Sequence, residues 1–206
     1  MAAGEIAIRT AEAARGESGA DQGLVERCRR GDAEAFARLV ALHEGMVYNL
    51  AARLLGDPEE ARDLSQDVFL QVYRTLGGFE GRSRLKTWIY RIVVNHCRNR
   101  MRWWRRRRRF SSVGIDEMTA ADEHRPEEPG PHEQLERRER AHAVQVALLR
   151  LSFDHRAILL LREVEGLSCR QLAETLGVAE GTVKSRLSRA REELRRSLLG
   201  GEGDRP

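Results

Sequence analysis

The sequence predicts an all-α protein made of two small helical domains joined by a flexible acidic linker. Three observations carry this. Apolar residues recur at spacings of three and four over long stretches, the period of an amphipathic helix. Aromatic residues are only 5% of the chain and no long β-branched alternating run appears, which speaks against an all-β fold. Residues 110–136, FSSVGIDEMTAADEHRPEEPGPHEQLE, hold three of the five prolines and eight acidic side chains against a single arginine, a composition that extends rather than packs. A chain of 206 residues suffices for two small units around that segment.

The elements follow in order. Residues 1–20 read as a disordered tail: they lack a signal-peptide apolar core and contain Glu5, Glu12 and Glu17, against a transit peptide. The first domain spans 21–109. Leu39, Leu42, Met46, Val47, Leu50 and Leu54 mark one buried helical stripe. In GDPEEA, Gly56 suits a helix C-terminus, Asp57 an N-cap, Pro58 the first helical position, and Glu60 the return of a capping box. The next helix, DLSQDVFLQVYRTL, turns Leu64, Val68 and Val72 inward and is broken by Gly77-Gly78. FEGRSRLK makes a polar loop, and a further helix starts near Thr87. Beyond the linker, 110–136, the second domain covers 137–199. Val144, Leu148 and Leu151 give one stripe, and Ile158, Leu159 and Leu161 another. Residues 200–206 are a frayed end.

Composition narrows the function. The net charge of +4 hides 36 basic and 32 acidic residues in separate clusters, and the clusters matter more than the sum. Cys28, Cys97 and Cys169 are isolated, with no CxxC pair, so neither a disulfide framework nor a zinc site is expected, and a reducing cytoplasm is the natural setting. No apolar run approaches the ~18 residues of a membrane span. No nucleophile–base pair, metal cluster or phosphate loop appears, so the chain is read as a non-enzyme with no cofactor and no small-molecule substrate.

The second domain carries the sharpest motif. Ser168 with Gln171 forms a capping-box signature that opens a short helix. Leu172, Ala173 and Leu176 face inward, Gly177 allows a left-handed turn, Val178 plugs the corner, and a second helix begins near Glu180. Short helix, glycine turn and second helix make a helix-turn-helix. At 100° per residue with Val183 at zero, Leu187, Ala190 and Leu194 fall within about 40° of it, whereas Lys184, Ser185, Ser188 and Arg189 fall about 100° or more away. Small polar and basic residues opposite the core suit a major-groove helix. A plain solvated face would show the same phase but would not need the preceding turn.

At these residues the chain resembles a bacterial sigma factor of the sigma-70 family, extracytoplasmic-function (ECF) type. DLSQDVFLQVYRTLGGFEGRSRLKTWIYRIVVNHCRNRMR resembles the family's second conserved region and LLREVEGLSCRQLAETLGVAEGTVKSRLSRAREELRRSL its fourth. Leu151-Ser152 stands where the family often has Leu-Pro; Ser152 is a capable N-cap. The resemblance implies a region 2 bundle that binds core polymerase and the −10 element, and a region 4 helix-turn-helix that reads −35. Core RNA polymerase would be met through the clamp helices of the largest subunit, by Asp63, Gln66, Asp67, Leu70 and Gln71, and through the flap of the second-largest. An exposed leucine among polar anchors suits a helix–helix interface.

For −10 DNA the resemblance points to Arg82, Ser83, Arg84, Lys86, Trp88, Asn95, Arg98 and Asn99: a loop that holds a flipped base and a helix face where melting begins. Trp88 has a competing role in packing. Thr182, Lys184, Ser185, Arg186, Ser188, Arg189 and Arg191 are the −35 candidates, the first, fourth and last as phosphate contacts. The acidic linker would thread the RNA exit channel as a mimic of RNA. Promoter DNA, duplex and single strand, and an anti-sigma factor, possibly membrane-anchored, complete the partners implied.

One run exceeds the family pattern: Trp103 and Trp104 followed by Arg105–Arg109. A membrane interface would suit tryptophans beside arginines. Phosphate contact by Arg102, Arg105 and Arg106 is the more economical reading, because each neutralised phosphate releases counterions. Base stacking on either tryptophan stays open. The competing function is a polymerase-independent helix-turn-helix regulator, which would leave the first domain unexplained.

Overall fold

Helix boundaries in the computed structural model, which describes residues 21–108 and 131–200, fall where side chains satisfy the backbone. The tail 1–20, most of the linker and the end 201–206 lie outside the described residues. After α1 (residues 21–29), Asp32 caps α2 (Ala33–Leu55) by accepting from Ala35 N at 3.0 Å and also holds Arg27 Nε at 2.8 Å. Gly56 ends α2 in the left-handed region (φ 75°, ψ 13°), its N–H on Ala52 O at 2.8 Å. Asp57 then accepts from Glu59 N and Glu60 N and opens α3 (Pro58–Thr75) with proline at its first position. Glu60 does not act as the expected capping-box partner: its carboxylate takes Arg100 Nη1 at 2.6 Å, tying α3 to α4 (Leu85–Arg108). A charged long-range partner outcompetes a backbone N–H. A short 3₁₀ turn, Leu76–Gly78, closes α3 at the two glycines.

The four helices make one domain, with α2 packed on both α3 and α4. Leu39, Val47, Leu50 and Leu54 meet Leu64, Val68 and Val72 from α3 and Ile89, Val93, Val94 and Cys97 from α4, all fully or almost fully buried. Leu42, read as part of the α2 stripe, is 59% exposed. On a 100° wheel it lies about 90° from the stripe's centre, and among the described residues no layer on that side covers it.

The second described segment opens with α5 (Pro131–Arg150), a helix that starts at a proline within residues 110–136 and runs on past them. Ser152 caps α6 (Phe153–Leu159) by accepting from His155 N at 3.3 Å. A π-helical turn, Leu160–Val164, follows. Ser168 and Gln171 close a two-way capping box on α7 (Cys169–Leu176). Gly177 takes φ 67° and ψ 40°, and α8 (Glu180–Gly200) runs on. Leu148 and Leu151 are buried, but Val144, one turn earlier on that stripe, is 41% exposed: the stripe outruns its cover.

The two domains touch. α7 packs on α4, and α5 and α6 pack on α2. Arg156 is 2% exposed and donates from Nη1 to Leu54 O at 2.7 Å, while Gln145 Nε2 reaches Arg53 O at 3.2 Å. These are two of the last carbonyls of α2, which have no partner inside the helix. An arginine there also sits at the negative end of the helix dipole. Burial lowers the Arg156 guanidinium to about 10, which leaves it charged at neutral pH.

Candidate nucleic-acid interface

The phase of α8 decides what it can offer. Val183, Leu187 and Ala190 are buried, and burial of the valine and leucine side chains contributes roughly 1.5–3 kcal/mol each to holding the helix in that rotation. Lys184, Ser185, Ser188 and Arg189 are therefore exposed together on the opposite side. Ser185 Oγ donates to Thr182 O at 3.0 Å. Thr182 and Arg186 are half-buried beside that face. Arg191 is exposed, but its Nε and Nη2 are both held by Glu163 Oε1, at 3.0 and 2.6 Å.

On the first domain, the loop before α4 is fixed at its root. Arg29 of α1 donates from Nη2 to Phe79 O and lies 3.5 Å, through Nε, from Leu76 O. Nothing local in the sequence marks Arg29 for this; the pairing spans fifty residues. Trp88 is half-buried with its ring 5.3 Å from that of Phe79, at 49°, so its packing role is present in the structure. Arg82, exposed, pairs with Glu80 at 2.5 Å; Ser83 is half-buried and Arg84 exposed.

Along α4, the core stripe of Ile89, Val93, Val94 and Cys97 leaves Asn95, Asn99, Arg102, Arg105 and Arg106 exposed on the outer side. Trp104 turns inward against the core, while Trp103 stays 43% exposed beneath the Arg107 guanidinium, 4.5 Å from the ring centre. Trp103, Asn99, His96 and Arg106 line one side of a groove of about 420 Å³ whose other wall is Leu64 and Asp67 of α3. Burial lowers the proton affinity of His96, which keeps it neutral at pH 7. Cys97 is fully buried and its thiol is pushed up to about 12 by that burial.

Two of the expected −10 residues meet the second domain. Arg98, 24% exposed, reaches Asp154 Oδ1 at 3.3 Å and stacks 5.5 Å from the Phe153 ring. Lys86 Nζ lies 3.9 Å from Glu165 Oε2 and 5.5 Å over the Tyr90 ring. Tyr90, 1% exposed, donates its hydroxyl to the same Glu165 oxygen. Burial, then the carboxylate, pushes that hydroxyl well above the usual phenol range.

The outer face of α3 presents Asp63, Gln66, Asp67 and Leu70, the last 52% exposed, with Gln71 half-buried. Asp67 also receives Arg100 at 3.4 Å. Tyr73 is 62% exposed one turn beyond Leu70, its ring edge-on to Phe36 at 5.0 Å. The sequence carried that signal in the i, i+3 spacing of Leu70 and Tyr73, but Tyr73 was not singled out.

Known proteins share this arrangement. The family models Sigma-70 region 2 and Sigma-70, region 4 match residues 39–110 and 141–194, in that order. The RNA polymerase sigma-H factor of Pseudomonas aeruginosa is 37% identical over 86% of this chain and 93% of its own. The ECF RNA polymerase sigma-E factor of Escherichia coli is 34% identical over 84% of this chain and 92% of its own. Among solved structures, the sigma factor RpoE of Bartonella quintana, in complex with the anti-sigma factor NepR, superposes with a TM-score of 0.65 at 29% identity, covering 82% of this chain and 98% of that one. CnrH in complex with the cytosolic domain of CnrY gives 0.63 at 26%, covering 89% and 99%. With both regions matched in order and most of the chain aligned to sigma factors, the chain belongs to the sigma-70 family as an ECF-type RNA polymerase sigma factor.

Proposed function

We propose that the domains divide promoter recognition between them, residues 21–109 binding core polymerase and the −10 element and residues 137–199 reading −35. The observation that carries this is the phase of α8. Its buried stripe leaves Lys184, Ser185, Ser188 and Arg189 together on one open face, a set that offers donors and acceptors to base edges in the major groove. Thr182 and Arg186 flank it as phosphate contacts, and Arg191 joins them once it leaves Glu163. At −10, Ser83 and the backbone of the Arg82–Lys86 loop receive an unpaired base while Asn95, Arg98 and Asn99 meet the edge of the melting duplex. Arg102, Arg105 and Arg106 add phosphate contacts that do not depend on sequence. Trp88 supports the loop from behind.

Asp63, Gln66, Asp67, Leu70 and Gln71 form the seat for the polymerase clamp helices, and the second domain meets the flap. The chain acts in the cytoplasm without catalytic chemistry of its own. An anti-sigma factor regulates it by covering these faces; the superposed Bartonella quintana sigma factor RpoE was solved in complex with the anti-sigma factor NepR. A polymerase-independent regulator would have no use for an apolar, polar-flanked seat on α3.

The test mixes the purified chain with bacterial core RNA polymerase and a randomised promoter library and sequences the transcripts. Initiation from one recurring −35/−10 pair is expected. Duplex binding with no polymerase association overturns the proposal.

A further inference from the structure

Arginine recurs along one edge of α4. Arg98, Arg102 and Arg105 stand at i, i+4 and i+7, within about 60° of one another at 100° per residue. Like charges at that spacing repel. A cleft of about 210 Å³ separates this row from the start of α6, where Ser152, Phe153 and Asp154 form the other wall. Asp154 answers only the first arginine: its Oδ1 lies 3.3 Å from Arg98 Nη2. Among the described residues, Arg102 and Arg105 have no ion-pair partner. We propose that this cleft is a binding site for a diphosphate anion, inorganic or carried by a nucleotide, held between the arginine row of α4 and the start of α6.

Charge and size choose that class of ligand. Three guanidinium groups line the cleft against one carboxylate, an excess of two positive charges. A carboxylate ligand would cancel only half of that excess. A phosphate group carries about two negative charges near neutral pH, and its oxygens accept paired N–H donors from the guanidinium fork. An engineered cavity of about 150 Å³ holds benzene. By that ratio, this cleft of about 210 Å³ has room for roughly eight heavy atoms. That is close to a diphosphate and well above a single phosphate. Arg102 and Arg105 are exposed, so solvent reaches the cleft and a nucleoside attached to the diphosphate has room outside it.

A second observation adds to the demand for negative charge. Arg156 is 2% exposed, and its Nε is buried with no hydrogen-bond partner among the described residues. Burial first, and then the charge of Arg105, lower the proton affinity of its guanidinium. The Arg105 end of the row therefore adjoins a further cation, whose Nη1 is met by a neutral carbonyl, Leu54 O. An anion beside Arg105 relieves the repulsion on both. RNA synthesis consumes nucleoside triphosphates and releases pyrophosphate, so anions of this class surround a sigma factor at work. Arg98, Arg102 and Arg105 are also proposed DNA contacts, and a bound diphosphate withholds them from the promoter. That consequence rests on the proposed function; the site itself does not.

The test titrates sodium pyrophosphate into the full chain by isothermal calorimetry at about 0.15 M salt, where long-range attraction is screened. Saturable binding of one pyrophosphate per chain is expected. Arg102→Ala/Arg105→Ala should weaken it at least about tenfold, since charged hydrogen bonds are lost. Arg106→Ala/Arg107→Ala removes the same charge from the same run, at residues that do not line the cleft, and should stay within about twofold of wild type. Asp154→Asn removes the carboxylate that faces the anion and should tighten binding by about threefold or more. A gain of affinity cannot come from misfolding, and circular dichroism checks that each variant is folded. ADP binding as tightly as pyrophosphate, or tighter, marks a nucleotide as the ligand; pyrophosphate binding with ADP excluded marks the inorganic anion, and either supports the site. No saturable binding overturns it. So does an equal loss in the two double-arginine variants, which would mean attraction by charge density alone, and so does weaker binding by Asp154→Asn. The titration contains no DNA, so its failure is separate from a failure of promoter reading.

Discussion

Two glycines four residues apart should respond to the same substitution with opposite signs. Gly177 ends α7 at φ 67°, ψ 40°, and a Cβ built there meets nothing within 4 Å. Gly177→Ala therefore pays no steric clash, only the left-handed backbone, about 1–2 kcal/mol. The stiffer unfolded chain returns about 0.4–1 kcal/mol, leaving a net loss near 1 kcal/mol. Gly181 lies in the first turn of α8 with helical φ and equally open space. Gly181→Ala removes unfolded-state freedom with no strain and gains about 0.5–1 kcal/mol. The two variants should thus differ by roughly 2 kcal/mol. Thermal unfolding of the full chain by circular dichroism reads it. If the docked domains unfold as one unit, the gap in Tm is about 4–8 °C; if the second domain melts alone, it is about twice that. A Gly177→Ala variant as stable as wild type, or a Gly181→Ala variant less stable, would refute the reasoning about local backbone strain.

Three further predictions follow from the surfaces and buried groups. Leu70→Asp should weaken core polymerase association at least tenfold with Tm unchanged, because Leu70 is 52% exposed and supports no core; pull-down titration checks it. Arg189→Ala should weaken −35 duplex binding by about 1–3 kcal/mol at one base position, whereas Arg106→Ala should weaken binding to all sequences and lower the salt slope by about 1, measured by anisotropy across a salt series. His43 and His96 are both held below their ordinary value of 6.5 by burial, so the unfolded chain takes up protons there before the folded one does. Stability is then full above pH about 6.5 and falls as the pH drops below it; His96→Gln should flatten that fall in denaturant titrations between pH 7.5 and 5.5.

What the sequence made legible was local. The caps at Asp57, Ser152 and Ser168, the left-handed turns at Gly56 and Gly177, and the inward stripe of α8 all depend on residues within a few positions of each other, and all are present. Pairings across tens of residues were not legible. Glu60 reads as a capping-box residue until Arg100, forty positions on, arrives beside it. Arg29 holds the loop root and Arg156 the end of α2, though each sits in an ordinary helical pattern. Asp154 and Glu165 look like solvated acids, one in a helix's first turn and one beside a glycine, and only the docking of the domains gives them cationic partners. Leu42 failed for a different reason: spacing alone does not say how wide a stripe the neighbouring helices cover.

The end of α2 joins two surfaces. Arg53 and Leu54 are bonded from the second domain, and three residues after Leu54 the chain turns through Asp57 into α3, whose outer face carries Leu70 and Tyr73. A ligand seated on α3 and a domain seated on α2 thus share one corner of backbone. Linkage then acts in both directions with equal strength. Whatever factor a ligand on α3 would apply to release of the second domain, that domain would apply to binding of the ligand.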